Sequence, residues 1–540
     1  MKMIINEKYL AMSGHGIHKQ TLTGARFRQL KKESATTTLV LVFFFFLLVG
    51  ALVFAVWIKV FQSLFSGAYP IPIFSTSKVP KKPVFPLQCT NHKLAQTCPR
   101  NYPITQNLTK QHQNHASTSQ CPSYFKWIHE DLRPWKETGI TRDMVERARR
   151  TAHFRLVVLD GRAYVEKYRS AVQTRDVFTL WGILQLLRRY PGRLPDLELM
   201  FDCDDRPLIQ MKDYRRPKSG PPPLFRYCGD GKTLDIVFPD WSFWGWVETN
   251  IKPWTHVLKD IGEGNKRIKW EDRVPYAYWK GNPDVASTRR DLLKCNVTDK
   301  YDWNARLFKQ DWGKQSKRGY KQSNLEDQCT HRYKIYIDGW AWSVSKKYIL
   351  ACDSMTLFVR PSYYDFFTRG MVPLQHYWPI RDNSKCTSLK FAVEWGNNHT
   401  NEAKTIANGG SHFIFNELKM EYVYDYMYHV LSEYARLLTY KPSIPPKAVE
   451  VCSETMACPS NGTYRRFMEE SMVMSPRGGA PCTLPPPFDP PSLQAFNEKA
   501  ARSTWQVEMM ENDYWREVNS KDKDKNKDMK KPLQGKKNPF

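Results

Sequence analysis

Residues 334–359, KIYIDGWAWSVSKKYILACDSMTLFV, hold an apolar and aromatic run (Lys334 to Ile337) and a glycine loop (Asp338 to Ser343). A helical stretch (Val344 to Ala351) and a second apolar run (Met355 to Val359) follow. Strand, glycine loop, helix and strand in that order make one right-handed βαβ unit of a parallel sheet. A helix start preceded by glycine leaves backbone N–H groups as a phosphate seat, to which Ser343 either adds a hydroxyl or serves as a plain N-cap.

Working upstream, Tyr276 to Trp279 is predicted as a strand, followed by a Gly281 turn and a helix around Arg290 to Lys294. Lys280-Gly281-Asn282 with Arg289-Arg290 places cations near a strand end, where they neutralise a diphosphate or simply form a solvated helix face. Further back, Thr141 caps a helix to Thr151, and Phe154 to Leu159 and Arg162 to Val165 flank an Asp160-Gly161 hairpin turn. Arg175 to Arg189 reads as an amphipathic helix stopped by Pro191-Gly192. Leu197 to Phe201 is a buried strand that runs into Asp202-Cys203-Asp204-Asp205. Carboxylates at a strand's carboxyl end sit where open α/β sheets bind ligands. They chelate a divalent ion through Asp202 and Asp204, or one of them acts as a general base, or they cap the turn. Trp241-Ser-Phe-Trp-Gly-Trp246 is a stacking wall for an acceptor or part of the core. A long helix is expected from Asn416 to Leu438, and another around Leu493 to Val518. About 320 residues of alternating pattern exceed a single core and imply two α/β lobes.

Residues 39–58, LVLVFFFFLLVGALVFAVWI, are uncharged and long enough to span a bilayer once as a helix. Seven Lys/Arg against two Glu precede this run, which places residues 1–38 in the cytosol and the rest in a lumen or outside. All 12 cysteines follow the span, without a CxxC pair, as do the sequons at Asn107, Asn296, Asn398 and Asn461. The formal charge of +27 is partly peripheral: leader and tail each carry an excess of five, leaving +17 between them. Nucleic acid is excluded by compartment, leaving sugar nucleotides, acidic polysaccharide and anionic lipid as partners for that charge. Residues 59–120 read as a Pro-rich, disordered stem, residues 446–519 as a C-terminal extension and residues 520–540 as a Lys/Asp-rich disordered tail. No Ser-His-Asp order, HExxH or Walker sequence is present.

Together, Glu130-Asp-Leu-Arg-Pro-Trp, Arg193-Leu-Pro-Asp-Leu-Glu-Leu through Asp205-Arg-Pro and Trp241-Ser-Phe-Trp form an ordered set. Tyr278-Trp-Lys-Gly with Arg290-Asp291, and Tyr333-Lys-Ile-Tyr-Ile-Asp-Gly through Ala351-Cys-Asp-Ser, complete it. The set resembles the capsule-associated/Rumi-type glycosyltransferases, family 90, which include protein O-glucosyltransferases and related xylosyltransferases. Asp338-Gly-Trp-Ala-Trp-Ser-Val-Ser is most similar to the plant branch. The resemblance covers about residues 121 to 440.

It implies an α/β fold of two Rossmann-like lobes in the GT-B arrangement: a transferase domain over 121–445, acceptor-side at 121–270 and donor-side at 271–445. The activity implied is inverting and metal-independent, moving a glucosyl or xylosyl group from a UDP-sugar to a hydroxyl of a glycan or glycoprotein. No cofactor is implied. Residue by residue, the catalytic carboxylate falls on Asp205, donor contacts on Asn282, the phosphate-binding arginine on Arg290, and the donor loop on Trp340, Ala341, Trp342, Ser343, Val344 and Ser345. Lys280 and Gly281 are further donor support. Ser345 stands where characterised family members carry an arginine, and the adjacent Lys346 is its expected substitute. Trp241, Trp244 and Trp246 would wall the acceptor. One span and a stem imply a type II Golgi membrane protein with a lumenal catalytic domain, with the endoplasmic reticulum as second choice. Two other classes remain: a membrane-tethered lectin or scaffold that kept the fold without chemistry, and a basic polysaccharide-binding surface protein.

Overall fold

A computed structural model describes residues 84–90, 96–99, 119–214 and 220–529, with 49, 50 and 54 besides. The expected span at 39–58 lies outside the described residues apart from Val49, Gly50 and Phe54, as do the leader, Asn107 and the last eleven residues. Among the described residues no helix is long and apolar enough to cross a membrane. The chain divides into two compact units, Met1–Lys81 and Lys82–Phe540. The second contains both sheets.

The first sheet starts with a hairpin, β1 (Phe154–Leu159) and β2 (Arg162–Lys167). Its turn residues Asp160 and Gly161 have φ of 50° and 72°, the left-handed pair that matches strand twist in a tight hairpin. Next come β3 (Leu197–Phe201), β4 (Leu224–Arg226) and β5 (Ile236–Val237). The second sheet holds β6 (Val274–Gly281), β7 (Ala305–Lys309), β8 (His331–Tyr336), β9 (Met355–Val359) and β10 (Trp378–Ile380). A late strand, β11 (Val449–Val451), returns to the first sheet, whose order is β11-β2-β1-β3-β4-β5.

Only β3, β4 and β5 run parallel in that first sheet; β11, β2 and β1 form an antiparallel half because the hairpin reverses the chain. The second sheet is parallel throughout, in the order β10-β9-β8-β6-β7. Renumbered within its own lobe, that is the 2-1-3-4-5 order of doubly wound folds, whose strand direction of travel reverses between β6 and β8. Ligands bind outside the carboxyl ends of strands at such a switch point.

The strand–loop–helix–strand reading of residues 334–359 holds: β8 and β9 are adjacent and parallel, joined by a helix at Ser345–Leu350. Helix Arg175–Arg189 matches its expected bounds, but its amphipathic reading does not survive, since twelve of its residues are buried. Its polar side chains are met by the C-terminal extension. Gln185 donates to Ser453 (3.2 Å) and accepts from the Val473 amide (2.9 Å), and Trp181 donates to Ser471 (2.9 Å).

The division at 271 and 445 is also crossed. Helix Met420–Leu437 packs on the first sheet, where Tyr434 donates to the Glu198 carbonyl at 2.9 Å. Helix Pro490–Met529 covers the second, with Ser388 donating to Glu511 at 2.7 Å. One core fills the first lobe and continues through Tyr336, Tyr348 and Phe358; another lies around Trp279, Ile335 and Trp378.

Part of the expected stem is tied down. Cys89 pairs with Cys458, Cys98 with Cys452 and Cys121 with Cys482, so residues 84–90 and 96–99 belong to the folded body. Proline content marked that segment as extended and gave no sign of its disulfide partners. Cys295–Cys386 and Cys329–Cys352 brace the second lobe, and Cys203 and Cys228 are free and buried.

Candidate active site

A cavity of about 360 Å³ opens at this switch point, within the range of small-molecule sites. Trp279, Lys280, Gly281 and Asn282 line it from the end of β6, and Ser343, Val344 and Ser345 from the loop after β8. The first lobe contributes Gln173, Arg175 and Trp246.

The acidic cluster divides into two roles. Asp202 is fully buried and ion-paired to Arg226, with His153 Nδ1 at 3.1 Å and Arg169 Nη2 at 3.2 Å. Burial alone would raise its carboxyl, but the His153 hydrogen bond and the Arg226 charge bring it below the usual carboxylate range. Arg169 also holds Asp204 at 2.9 Å. His153, Asp202 and Asp204 offer three ligand atoms within 4.8 Å of one another. Two guanidiniums already occupy these carboxylates, however, so a dication would enter against two positive charges. That arrangement is a structural ion-pair knot.

Asp205 is different. Its side chain is 33% exposed, and its one ion-pair partner among the described residues, Arg175 Nη1 at 2.9 Å, itself lines the cavity. Arg175 also donates to the Cys203 carbonyl at 3.2 Å and lies 4.6 Å over the Trp241 ring. The carboxylate therefore stands one side chain away from the cavity, with a face open to an incoming group.

Several expected site residues move. Arg290 is exposed and donates to the Asp284 carbonyl at 3.3 Å, whereas Arg289 is buried in the cavity wall. Arg289 donates to the carbonyls of Asp338 (2.9 Å), Ile337 (3.2 Å) and Asn282 (3.3 Å), with no carboxylate partner among the described residues, and burial lowers its pKa. Adjacent helical residues differ by about 100° in direction, so a motif match cannot decide which arginine faces inward. Lys346 does not replace the missing arginine. It is buried away from the cavity, 3.2 Å from Asp365, and donates to Thr368 at 2.9 Å.

Within the loop at 340–345, Ser343 and Ser345 share a 2.8 Å hydroxyl contact at the cavity, Ala341 and Trp342 are buried behind it, and Trp340 is exposed with Arg206 stacked 3.9 Å over its ring. Asn282 Oδ1 accepts from the Asp284 amide at 2.9 Å, capping the turn after β6. Of the three tryptophans, only Trp246 lines the cavity. Trp241 lies behind Arg175, and Trp244 is a core residue donating to Tyr424 at 3.0 Å.

Arg175, Gln328 and Lys334 are among the cavity residues that the sequence reading does not single out. A lysine inside the apolar run Lys334 to Ile337 was the one available signal. Burial, with Arg273 nearby, pushes its amine down to about 7.

The family signature described as glycosyl transferase family 90 matches residues 116–511. The chain belongs to that family. An O-glucosyltransferase rumi homolog of Aedes aegypti is 26% identical over 348 residues, 62% of this chain and 83% of that protein. Protein O-glucosyltransferase 1 of Homo sapiens is 26% identical over 342 residues, 60% of this chain and 83% of the relative. Protein O-glucosyltransferase 2 of Danio rerio is 27% identical over 336 residues, 60% and 64% of the two chains. The chain is thus a family 90 glycosyltransferase, and its family region encloses both sheets and the cavity.

Proposed function

We propose that this family member is an inverting, metal-independent transferase of GT-B arrangement that moves a glucosyl or xylosyl group from a UDP-sugar to a hydroxyl of a glycan or glycoprotein. The observation that carries the reading is a cation-lined cavity at the switch point with Asp205 held beside it through Arg175. Asp205 takes the proton of the acceptor hydroxyl as its oxygen bonds to the anomeric carbon. The bond from that carbon to the diphosphate breaks on the opposite face, and UDP leaves with the electron pair. Arg289 and the loop before helix Ser345–Leu350 face the charge that develops on the leaving group. The names of the relatives support a glucosyl donor and a protein acceptor. The run at 39–58 supports a type II Golgi membrane protein, with Asn296, Asn398 and Asn461 as lumenal glycosylation sites and Asn107 as a fourth.

The test is UDP release from UDP-glucose and UDP-xylose with glycan and glycopeptide acceptors. Turnover is expected to survive EDTA and to fall by at least a thousandfold in Asp205→Asn, with UDP still bound. Loss with EDTA and recovery with Mn²⁺ would overturn metal independence. A folded protein that binds no UDP in calorimetry would instead be the tethered scaffold.

A further inference from the structure

Four cations border the cavity, and three of them have oxygen partners. Arg175 has Asp205, Lys280 has the Gln322 carbonyl at 2.5 Å, and Arg289 has three carbonyls. Lys334, 4% exposed, does not. Among the described residues its amine meets the Cys352 sulfur at 3.2 Å and the Tyr278 ring at 5.8 Å, while Arg273 repels it. An ammonium buried without an anion or a good acceptor is unfavourable. A ligand oxygen at this point would remove that deficit.

Depth separates Lys334 from the phosphate seat. In the strand register it lies opposite Tyr278, three residues short of the β6 end at Gly281. Asn282 and the Ser343–Ser345 loop follow the carboxyl ends of β6 and β8, so the diphosphate belongs there and the rest of the nucleotide can reach deeper along the strands. Gln328 lines the same cavity. The disulfide Cys329–Cys352 fastens the turn that carries it to the very sulfur that touches the lysine. Gln328 Nε2 donates to the Asn324 carbonyl at 3.2 Å, which leaves Oε1 as the acceptor this side chain can offer a ligand.

We infer that Lys334 and Gln328 form the base-reading end of the cavity and select a pyrimidine-2,4-dione: Lys334 donates to a ring carbonyl, and Gln328 Oε1 accepts the adjacent imide N–H. A 4-aminopyrimidine offers an acceptor where Gln328 needs a donor, and is rejected because the site's polar groups would be left unpaired. This assignment rests on the UDP-sugar reading above.

Calorimetric titration of the detergent-solubilised full chain with UDP, CDP and inorganic pyrophosphate tests it. The native protein is expected to prefer UDP over CDP by at least tenfold. Lys334→Met should weaken UDP by tenfold or more and leave pyrophosphate unchanged. Gln328→Leu, at a half-buried turn position, should reduce the UDP/CDP preference to near unity, and it carries the test if the lysine variant fails to fold. Unchanged UDP affinity in both variants, or an equal loss for pyrophosphate, overturns the assignment. Native protein that binds none of the three overturns the donor reading itself.

Discussion

Arg175 donates to Asp205, braces the Cys203 carbonyl and lies over Trp241, so one planar guanidinium fixes the carboxylate against the cavity wall. A lysine keeps the charge but lacks the fork and the stacking plane. Arg175→Lys is therefore expected to lower kcat by about tenfold or more, with the melting temperature nearly unchanged; equal kcat would mean that Asp205 needs no such brace. Trp244 and Trp246 part company in the same way. Trp244→Ala should cost about 3–5 kcal/mol of stability as a core truncation, whereas Trp246→Ala should alter KM and leave denaturant unfolding almost untouched. Lys334 also makes a pH prediction. Its folded pKa of about 7 lies below the ordinary lysine value of 10.5, so between those values the unfolded chain holds a proton that the folded chain has released. Stability then rises with pH across that window, and the rise, read as urea midpoints from pH 7 to 10, should flatten in Lys334→Met.

Secondary elements of the site were legible where local chemistry decides them. Leu197–Phe201, Met355–Val359 and Arg175–Arg189 appear at their predicted bounds because apolar runs and the Pro191-Gly192 stop act within a few residues. The direction of a side chain around a helix is not set locally, which is why the residue pattern offers Arg289 and Arg290 together and the resemblance alone singles out Arg290. Lys346 was misplaced for a related reason: its partner Asp365 lies nineteen residues on, and nothing in the local pattern announces it. The Glu326–Gln328 turn shows how one element places another. A Cβ on Gly264, inside helix Trp254–Arg267, would stand 2.4 Å from the Glu326 carbonyl oxygen. Gly264→Ala must therefore push that turn and its cavity residue Gln328 outward. Weaker UDP binding together with a lower melting temperature is expected; a lower melting temperature with unchanged UDP affinity would separate the turn from the ligand.

At the scale of the whole molecule, the lobes are not successive stretches of chain. The segment before the first helix and the extension after residue 446 are joined by Cys89–Cys458, Cys98–Cys452 and Cys121–Cys482, each closing a loop of more than 350 residues. Composition could count the cysteines and assign them to an oxidising compartment, but pairings this remote are set by the tertiary fold. Crosslinks over such long loops remove the most freedom from the unfolded chain, typically 2–4 kcal/mol each. Ten cysteines are paired and two, Cys203 and Cys228, are free. A secreted chain beginning at residue 84 should thus show two thiols when unfolded without reductant. One beginning at Cys121 leaves Cys452 and Cys458 without partners, and should show four thiols or form mixed disulfides. It should also melt at a markedly lower temperature, because the extension that satisfies the polar side chains of helix Arg175–Arg189 is then pinned by Cys121–Cys482 alone. That helix carries Arg175 and, through it, Asp205, so loosening the extension should reduce turnover before it unfolds the protein. Parallel melting and UDP-release curves of the two chains would reveal that order, and coincident loss would show instead that the extension and the site unfold as one.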